Sequence, residues 1–219
     1  MQRDPLRRLV SGITIFSLVA AAPVAAQILE RPAARGEPRL FISAAAGVLD
    51  IATIGDADAT LDFGTGFVYR ASVEHSLGRG SAIGVAAARS RIPLRASSDV
   101  LERVDAHATV TSIMASFRGG GGVGFHQVFL VQAGALRFTD IEADDDNTVI
   151  SRGGSTDFAF SIGGGFGYGV NARLTIGLVQ ELGLILHRTE GSSNNSSNSA
   201  QQRITRIGAS YGFGTERRR

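Results

Sequence analysis

Few side chains in this sequence could do chemistry, and their spacing restricts what that chemistry could be. The chain contains no cysteine, which excludes thiolate metal sites and disulfide frameworks. Its histidines are His75, His107, His126 and His187. His75 is followed at once by Ser76, and adjacent residues of an extended strand point to opposite faces, so they cannot meet as base and nucleophile. His107 shares a face with Thr109 and with no serine. No catalytic residue is assigned, and no cofactor is implied. Asp140, Glu142, Asp144, Asp145 and Asp146 offer a dense set of oxygen donors of the kind that attracts Ca²⁺ or Mg²⁺. They lack the spacing and fixed glycine of a known calcium loop, so a solvated acidic loop is the expectation and a metal site the weaker alternative.

A second group of charges lies within alternating stretches. In 172–187, Leu174, Ile176, Leu178, Leu182, Leu184 and Leu186 share one parity, interrupted only by Gln180. The opposite parity carries Arg173, Glu181 and small residues such as Gly177 and Gly183. In 155–170, Phe158, Phe160, Ile162, Phe166, Tyr168 and Val170 oppose Asp157, Ser161 and a run of glycines. In 63–77, Phe63, Phe67, Tyr69, Val73 and Leu77 oppose Arg70, Ser72, Glu74 and Ser76. A soluble half-buried sheet also alternates, but its solvent face is not this small and glycine-rich. Glycine weakens a strand, so a face crowded with it points to a narrow interior. Large apolar groups then face outward, and Arg70, Glu74, Arg173, Glu181 and Arg206 face a lumen, where Glu181 is expected to pair with Arg70 or Arg206. Residues 107–118 and 124–138 mix large apolar residues on both parities, which leaves their faces unassigned; a bulge is one way to reconcile them.

These residues need strands to position them, and eight candidates are present: 39–48, 63–77, 80–91, 107–118, 124–138, 155–170, 172–187 and 202–213. The connections alternate strictly between long (49–62, 92–106, 139–154, 188–201) and short (Gly78-Arg79, 119–123, a turn at Asn171). Short turns at one end and long loops at the other are the plan of a transmembrane barrel. The expected fold is all-β: an eight-stranded antiparallel up-and-down transmembrane β-barrel over 39–213.

Ahead of it, residues 1–26 read as a cleaved signal peptide. Arg3, Arg7 and Arg8 precede an apolar run from Leu9 to Ala22, and Val24-Ala25-Ala26 offers small residues for cleavage. The run is shorter than the ~20 residues of a spanning helix. Residues 27–38 read as a periplasmic linker and 214–219 as a basic periplasmic tail. The formal net charge of +2 falls to about zero without the leader, and the basic residues, all arginine, are dispersed, which argues against nucleic acid as a partner. The long loops carry 13 of the 20 acidic residues.

The last strand contains Arg206, Gly208, Tyr211 and Phe213: a polar residue, a glycine two positions later, then two aromatics spaced by one. This resembles the C-terminal assembly signal of outer-membrane barrels, although the chain continues six residues beyond Phe213. With the signal, strand count and loop alternation, the chain resembles the small outer-membrane barrel group that contains OmpA, OmpX, OmpW and the opacity-type surface proteins. The resemblance implies residence in the bacterial outer membrane. It also implies contact with outer-membrane lipid and lipopolysaccharide, and recognition by the barrel-assembly machinery; an external surface or host partner stays unknown.

The leading expectation is a non-enzymatic surface protein, adhesin-like or envelope-stabilising, acting through its outer loops. A general diffusion pore is not the expectation, because eight strands leave an interior just wide enough for side chains to fill. A narrow conduit for small hydrophobic solutes, as OmpW-like barrels are proposed to be, needs an apolar lumen, against which the charged face argues. A lipid A-modifying enzyme would need His and Ser on one lipid-facing strand. A periplasmic lipocalin-like binder would be released by osmotic shock.

Overall fold

In a computed structural model, the described residues are 38–52, 54–56, 59–78, 80–98, 104–143, 149–151, 156–187 and 198–214. The expected signal peptide lies outside them, as do all but Pro38 of the linker and all but Gly214 of the tail. Eight long strands form a closed wall: β1 (Leu40–Ile51), β4 (Thr65–Gly78), β5 (Ser81–Ser98), β6 (Val104–Gly119), β7 (Gly124–Ala143), β9 (Thr156–Gly169), β10 (Leu174–His187) and β11 (Asn198–Phe213). Three short strands, β2 (Ile54–Asp56), β3 (Ala59–Phe63) and β8 (Val149–Ser151), lie at the end where the long loops emerge. Every pairing between sequential wall strands is antiparallel, and β1 closes the wall by pairing with β11.

The stagger of the wall follows from its register. From Phe41 of β1, directly opposed residues run through Glu74, Gly84, Ser116, Gln132, Ser161, Gly183 and Gln202, and return to β1 at Ile51. One circuit therefore climbs ten residues (51 minus 41). A stagger of that size over eight strands corresponds to strands tilted roughly 40° from the axis and an interior that side chains can fill.

Local chemistry sets the short connections. The β4–β5 turn places Gly78 at φ 82° and Gly80 at φ 75°, in the left-handed region that glycine enters at little cost. At the β9–β10 turn the Asn171 side-chain oxygen accepts the backbone N–H groups of Arg173 (2.8 Å) and Leu174 (2.9 Å), an Asx-type turn.

The outward faces are apolar and exposed: Phe158, Ile162, Phe166, Tyr168, Ile176 and Leu178 point away from the barrel. Aromatic pairs mark the rim with the short turns, where Phe125 stacks on Phe166 at 5.3 Å and Tyr211 meets Phe213 edge-on at 4.9 Å.

Four expectations are corrected. The strands outrun their expected ends at the loop side, so β5 and β6 take up most of 92–106; there Ile92, Leu94 and Ala106 face inward and Arg95 and Asp105 outward, the reverse of the apolar-outward pattern lower in the wall. Phe63 is grouped with the outward residues by parity, yet it packs inward against Phe138, with ring centroids 5.9 Å apart. Gly64, bonded through its N–H to the Pro93 carbonyl (2.8 Å), interrupts the strand between β3 and β4 and resets the parity. In β7, Val128, Leu130, Gln132 and Leu136 face inward, while Phe125, Val131 and Arg137 face outward. Alternation continues unbroken through 124–138, and the only shift against β6 lies above it, between Ala108 and Thr109. Lastly, the lumen is not polar throughout. Towards the long loops it is filled by Leu49, Ile51, Ile92, Val110, Leu136 and Ile185.

Candidate functional site

Among the described residues, buried polar side chains gather in the lumen. The side chains of Glu181 on β10, Arg206 on β11 and Gln132 on β7 converge below the apolar plug. Glu181, 1% exposed, receives Arg206 Nε on Oε1 at 2.5 Å. Its other oxygen accepts hydrogen bonds from the Gln132 amide and from Ser161 Oγ, the latter at 3.3 Å. Arg70 on β4 donates from Nη1 to the Gln132 carbonyl oxygen. The chain Arg206–Glu181–Gln132–Arg70 thus crosses the lumen and ties four strands together. Burying the Glu181 carboxylate is tolerable because Arg206 pairs with one oxygen and the Gln132 amide and Ser161 hydroxyl donate to the other.

A second pair lies closer to the short-turn rim. Glu74, also buried, receives Arg118 Nε on Oε2 at 2.7 Å and Ser72 Oγ on Oε1 at 3.3 Å. Arg118 donates from Nη1 to the Gly120 carbonyl (3.2 Å), and its guanidinium carbon lies 5.0 Å from the centre of the inward-facing Phe41 ring. Below the Glu181 chain a cavity of about 80 Å³ opens among Ser43, Thr175, Ser210, Arg118 and Arg206.

Glycine makes the space for these side chains. A methyl group at Gly163 would stand 2.7 Å from Glu181 Cγ, and one at Gly183 would stand 2.7 Å from Gln202 Nε2. At Gly167 it would meet His126 Nε2 at 2.5 Å.

Of the five charges assigned to the lumen, Arg70, Glu74, Glu181 and Arg206 lie there. Arg173 does not: it is exposed in the turn before β10, where only its backbone is engaged. Parity placed it on the inward face, but the inward direction ends where the strand does. Glu181 meets Arg206 directly, and Arg70 only through Gln132. Sequence reasoning missed Gln132 and Arg118 because their strands were the two whose faces could not be assigned.

In the assembly motif, Tyr211 and Phe213 face outward at the rim, and Arg206 belongs to the lumen chain. Gly208 sits at the closing seam, where a methyl group would stand 2.6 Å from Ala45 Cβ. Among the acids weighed as metal ligands, Asp140 and Glu142 belong to β7, but their side chains, and all of Asp144, Asp145 and Asp146, lie outside the described residues. Among the described residues no cluster of three or more potential metal ligands occurs. His75 and Ser76 point to opposite faces of β4, as expected from their adjacency.

No family model matches this sequence, and no curated protein matches it either. Solved structures do. The crystal structure of Neisserial surface protein A superposes with a TM-score of 0.56 at 14% identity, covering 80% of this chain and 97% of that one. The crystal structure of the outer membrane protein OprG from Pseudomonas aeruginosa superposes with a TM-score of 0.52 at 11% identity, covering 82% and 97%. This chain has the small outer-membrane β-barrel fold. Identities this low carry the architecture and nothing finer. The interior of this barrel carries a charged chain strung across the lumen beneath an apolar fill.

Proposed function

We propose that the chain is a non-enzymatic outer-membrane barrel that acts through its outer loops, in an adhesin-like or envelope-stabilising role, with a sealed lumen. The observation that carries this reading is the combination of an apolar exterior with a doubly closed interior. Phe158, Ile162, Phe166 and Leu178 face outward, while Ile51, Ile92, Leu136 and Ile185 fill the lumen above the Glu181–Gln132–Arg70 chain. An outward apolar belt suits acyl chains, and among the described residues the apolar fill above the charged chain obstructs the lumen. Export by the leader at 1–26 and assembly through the Arg206, Gly208, Tyr211 and Phe213 strand belong to the same reading.

Fractionation followed by electrophysiology tests it. The full chain should stay with outer membranes through osmotic shock, and the purified protein in planar bilayers should give no sustained ion conductance. Release into the shock fluid would overturn the membrane assignment. Steady conductance steps would overturn the sealed lumen.

One observation favours a second reading, a conduit for small hydrophobic solutes: the loop-side half of the lumen is apolar, where charge was expected. The same side chains fill that space, so the conduit requires them to move. Faster entry of a small alkane or aromatic into vesicles carrying the protein, at unchanged ion conductance, would favour it.

A further inference from the structure

Charge does not balance around the cavity beneath the Glu181 chain. Three guanidiniums line it, from Arg70, Arg118 and Arg206, with one carboxylate, from Glu74. Glu181 stands just above, so three positive groups face two negative ones. Arg206 is paired with Glu181 and Arg118 with Glu74, each through Nε. Arg70 donates to the neutral Gln132 carbonyl rather than to a carboxylate. One positive charge is left over in an interior where an uncompensated charge is costly. The side chains of Arg206 and Arg118 also keep 13% and 18% of their surface exposed, although both point into the lumen.

Hydroxyl groups line the same cavity. Direct opposition places Thr175, Ser210, Ser43 and Ser72 in one row across β10, β11, β1 and β4. All four border the cavity. Ser72 donates to Glu74 at 3.3 Å, but Ser210 Oγ is buried and has no hydrogen-bond partner among the described residues. A buried hydroxyl in that state marks a place where a further polar group belongs. The volume of about 80 Å³ has room for a few waters or one tetrahedral oxyanion. Thr175 is one residue from the start of β10, and Ser210 three from the end of β11 (175 minus 174, 213 minus 210). A strand tilted near 40° rises about 2.5 Å per residue, so the row lies within about 8 Å of the short-turn rim. The Glu181 chain and the apolar fill close the other direction. Entry is therefore from the short-turn end.

We propose that this cavity is a binding site for a small inorganic oxyanion of the phosphate or sulfate class, taken up from the short-turn side. The anion offsets the charge left by Arg70 and gives the Ser210 hydroxyl an acceptor. Guanidinium N–H groups suit such an ion because they reach its oxygens in a fixed planar fork. A tetrahedral oxyanion presents several acceptor oxygens at once, matching donors that converge from β4, β6 and β11; chloride presents a single spherical one. The site rests on the closed barrel, and only its placement on the periplasmic side rests on the outer-membrane reading.

The test uses the full-length protein folded in a nonionic detergent and freed of phosphate and sulfate. Sodium phosphate or sulfate is titrated in at constant ionic strength, maintained with sodium chloride. Binding is read by calorimetry and stability by the heat-induced gel shift. Either oxyanion should give saturable heat at millimolar concentration and raise the melting midpoint; added chloride should do neither. Ser210→Ala should leave the midpoint in phosphate-free buffer unchanged, because the hydroxyl has no partner to lose there, yet weaken phosphate about tenfold. Arg70→Gln should weaken it at least as much. Arg173→Gln, which removes an exposed arginine at the same rim but outside the lumen, should bind as wild type does. No saturable heat with wild type, equal stabilisation by chloride, or full affinity in Ser210→Ala would each overturn the site. Loss of binding in Arg173→Gln would do the same, by moving the anion to the surface of the rim. The wild-type titrations and Ser210→Ala decide the matter even if Arg70→Gln does not fold. Osmotic shock and conductance are read separately, so a barrel that binds no phosphate loses this site and keeps the outer-membrane reading.

Discussion

Glu181 shows how much of this molecule depends on single side chains. Its carboxylate balances Arg206 and organises Gln132 and, through it, Arg70. Replacing it with alanine leaves Arg206 buried without its partner, a change that costs about 3–5 kcal/mol. Glu181→Ala should therefore lower the midpoint of the heat-induced gel shift markedly; an unaltered midpoint would show that the chain across the lumen contributes nothing. Gly163 is a complementary case. Its methyl-free surface lets the Glu181 side chain lie across β9, and Gly163→Val would drive Cβ to within 2.7 Å of Glu181 Cγ and 2.9 Å of the Gln180 carbonyl. Overpacking of this sort costs about 1–3 kcal/mol, so the variant should melt lower than wild type while keeping its β-sheet circular dichroism. Residues like these were legible as inward by parity. Their partners were not, because a partner is a matter of which strand lies across the lumen.

At the scale of the element, the seam between β1 and β11 carries both closure and the assembly motif. Gly208 has a packing role at that seam, against Ala45, separate from any role in recognition. Tyr211 and Phe213 have no such burden, because both face outward. Tyr211→Ala with Phe213→Ala should therefore slow insertion by the assembly machinery while changing the melting midpoint of the folded protein little. Gly208→Leu should instead lower the midpoint even in protein refolded without that machinery. If the aromatic variants insert at the wild-type rate, the resemblance of this strand to an assembly signal has no functional content. Strands β9 and β10 could be read directly, since the aromatics of β9 oppose Gly163, Gly165, Gly167 and Gly169, and the leucines of β10 oppose Gly177 and Gly183. Strands β6 and β7 could not, because Val128, Leu130 and Leu136 are as apolar as the outward Phe125 and Val131. Once part of a lumen is apolar, hydropathy no longer separates inside from outside.

For the whole molecule, the acidic loops and the seal make separate predictions. Calorimetry with millimolar calcium should give no saturable heat, as expected of a solvated acidic loop at Asp140–Asp146; a saturable exotherm would assign a metal site there. The eight-stranded plan was already visible in the chain, because strand periodicity, turn residues and the alternation of long and short connections are local and repeat along it. The inside-out sense was visible too, since glycine and large apolar residues are intrinsically different sizes. What the tertiary structure alone decided is the register. The ten-residue climb aligns Glu74, Ser116, Gln132, Ser161 and Gln202 in a single spiral row inside the barrel, although they come from five strands. Closure likewise carries Arg70 across to Gln132, 62 residues further along the chain. Such pairings depend on how far each strand slides past the next, and sliding by two residues preserves every inward and outward assignment. The alternation in the sequence is blind to that slide; closing the barrel removes the freedom.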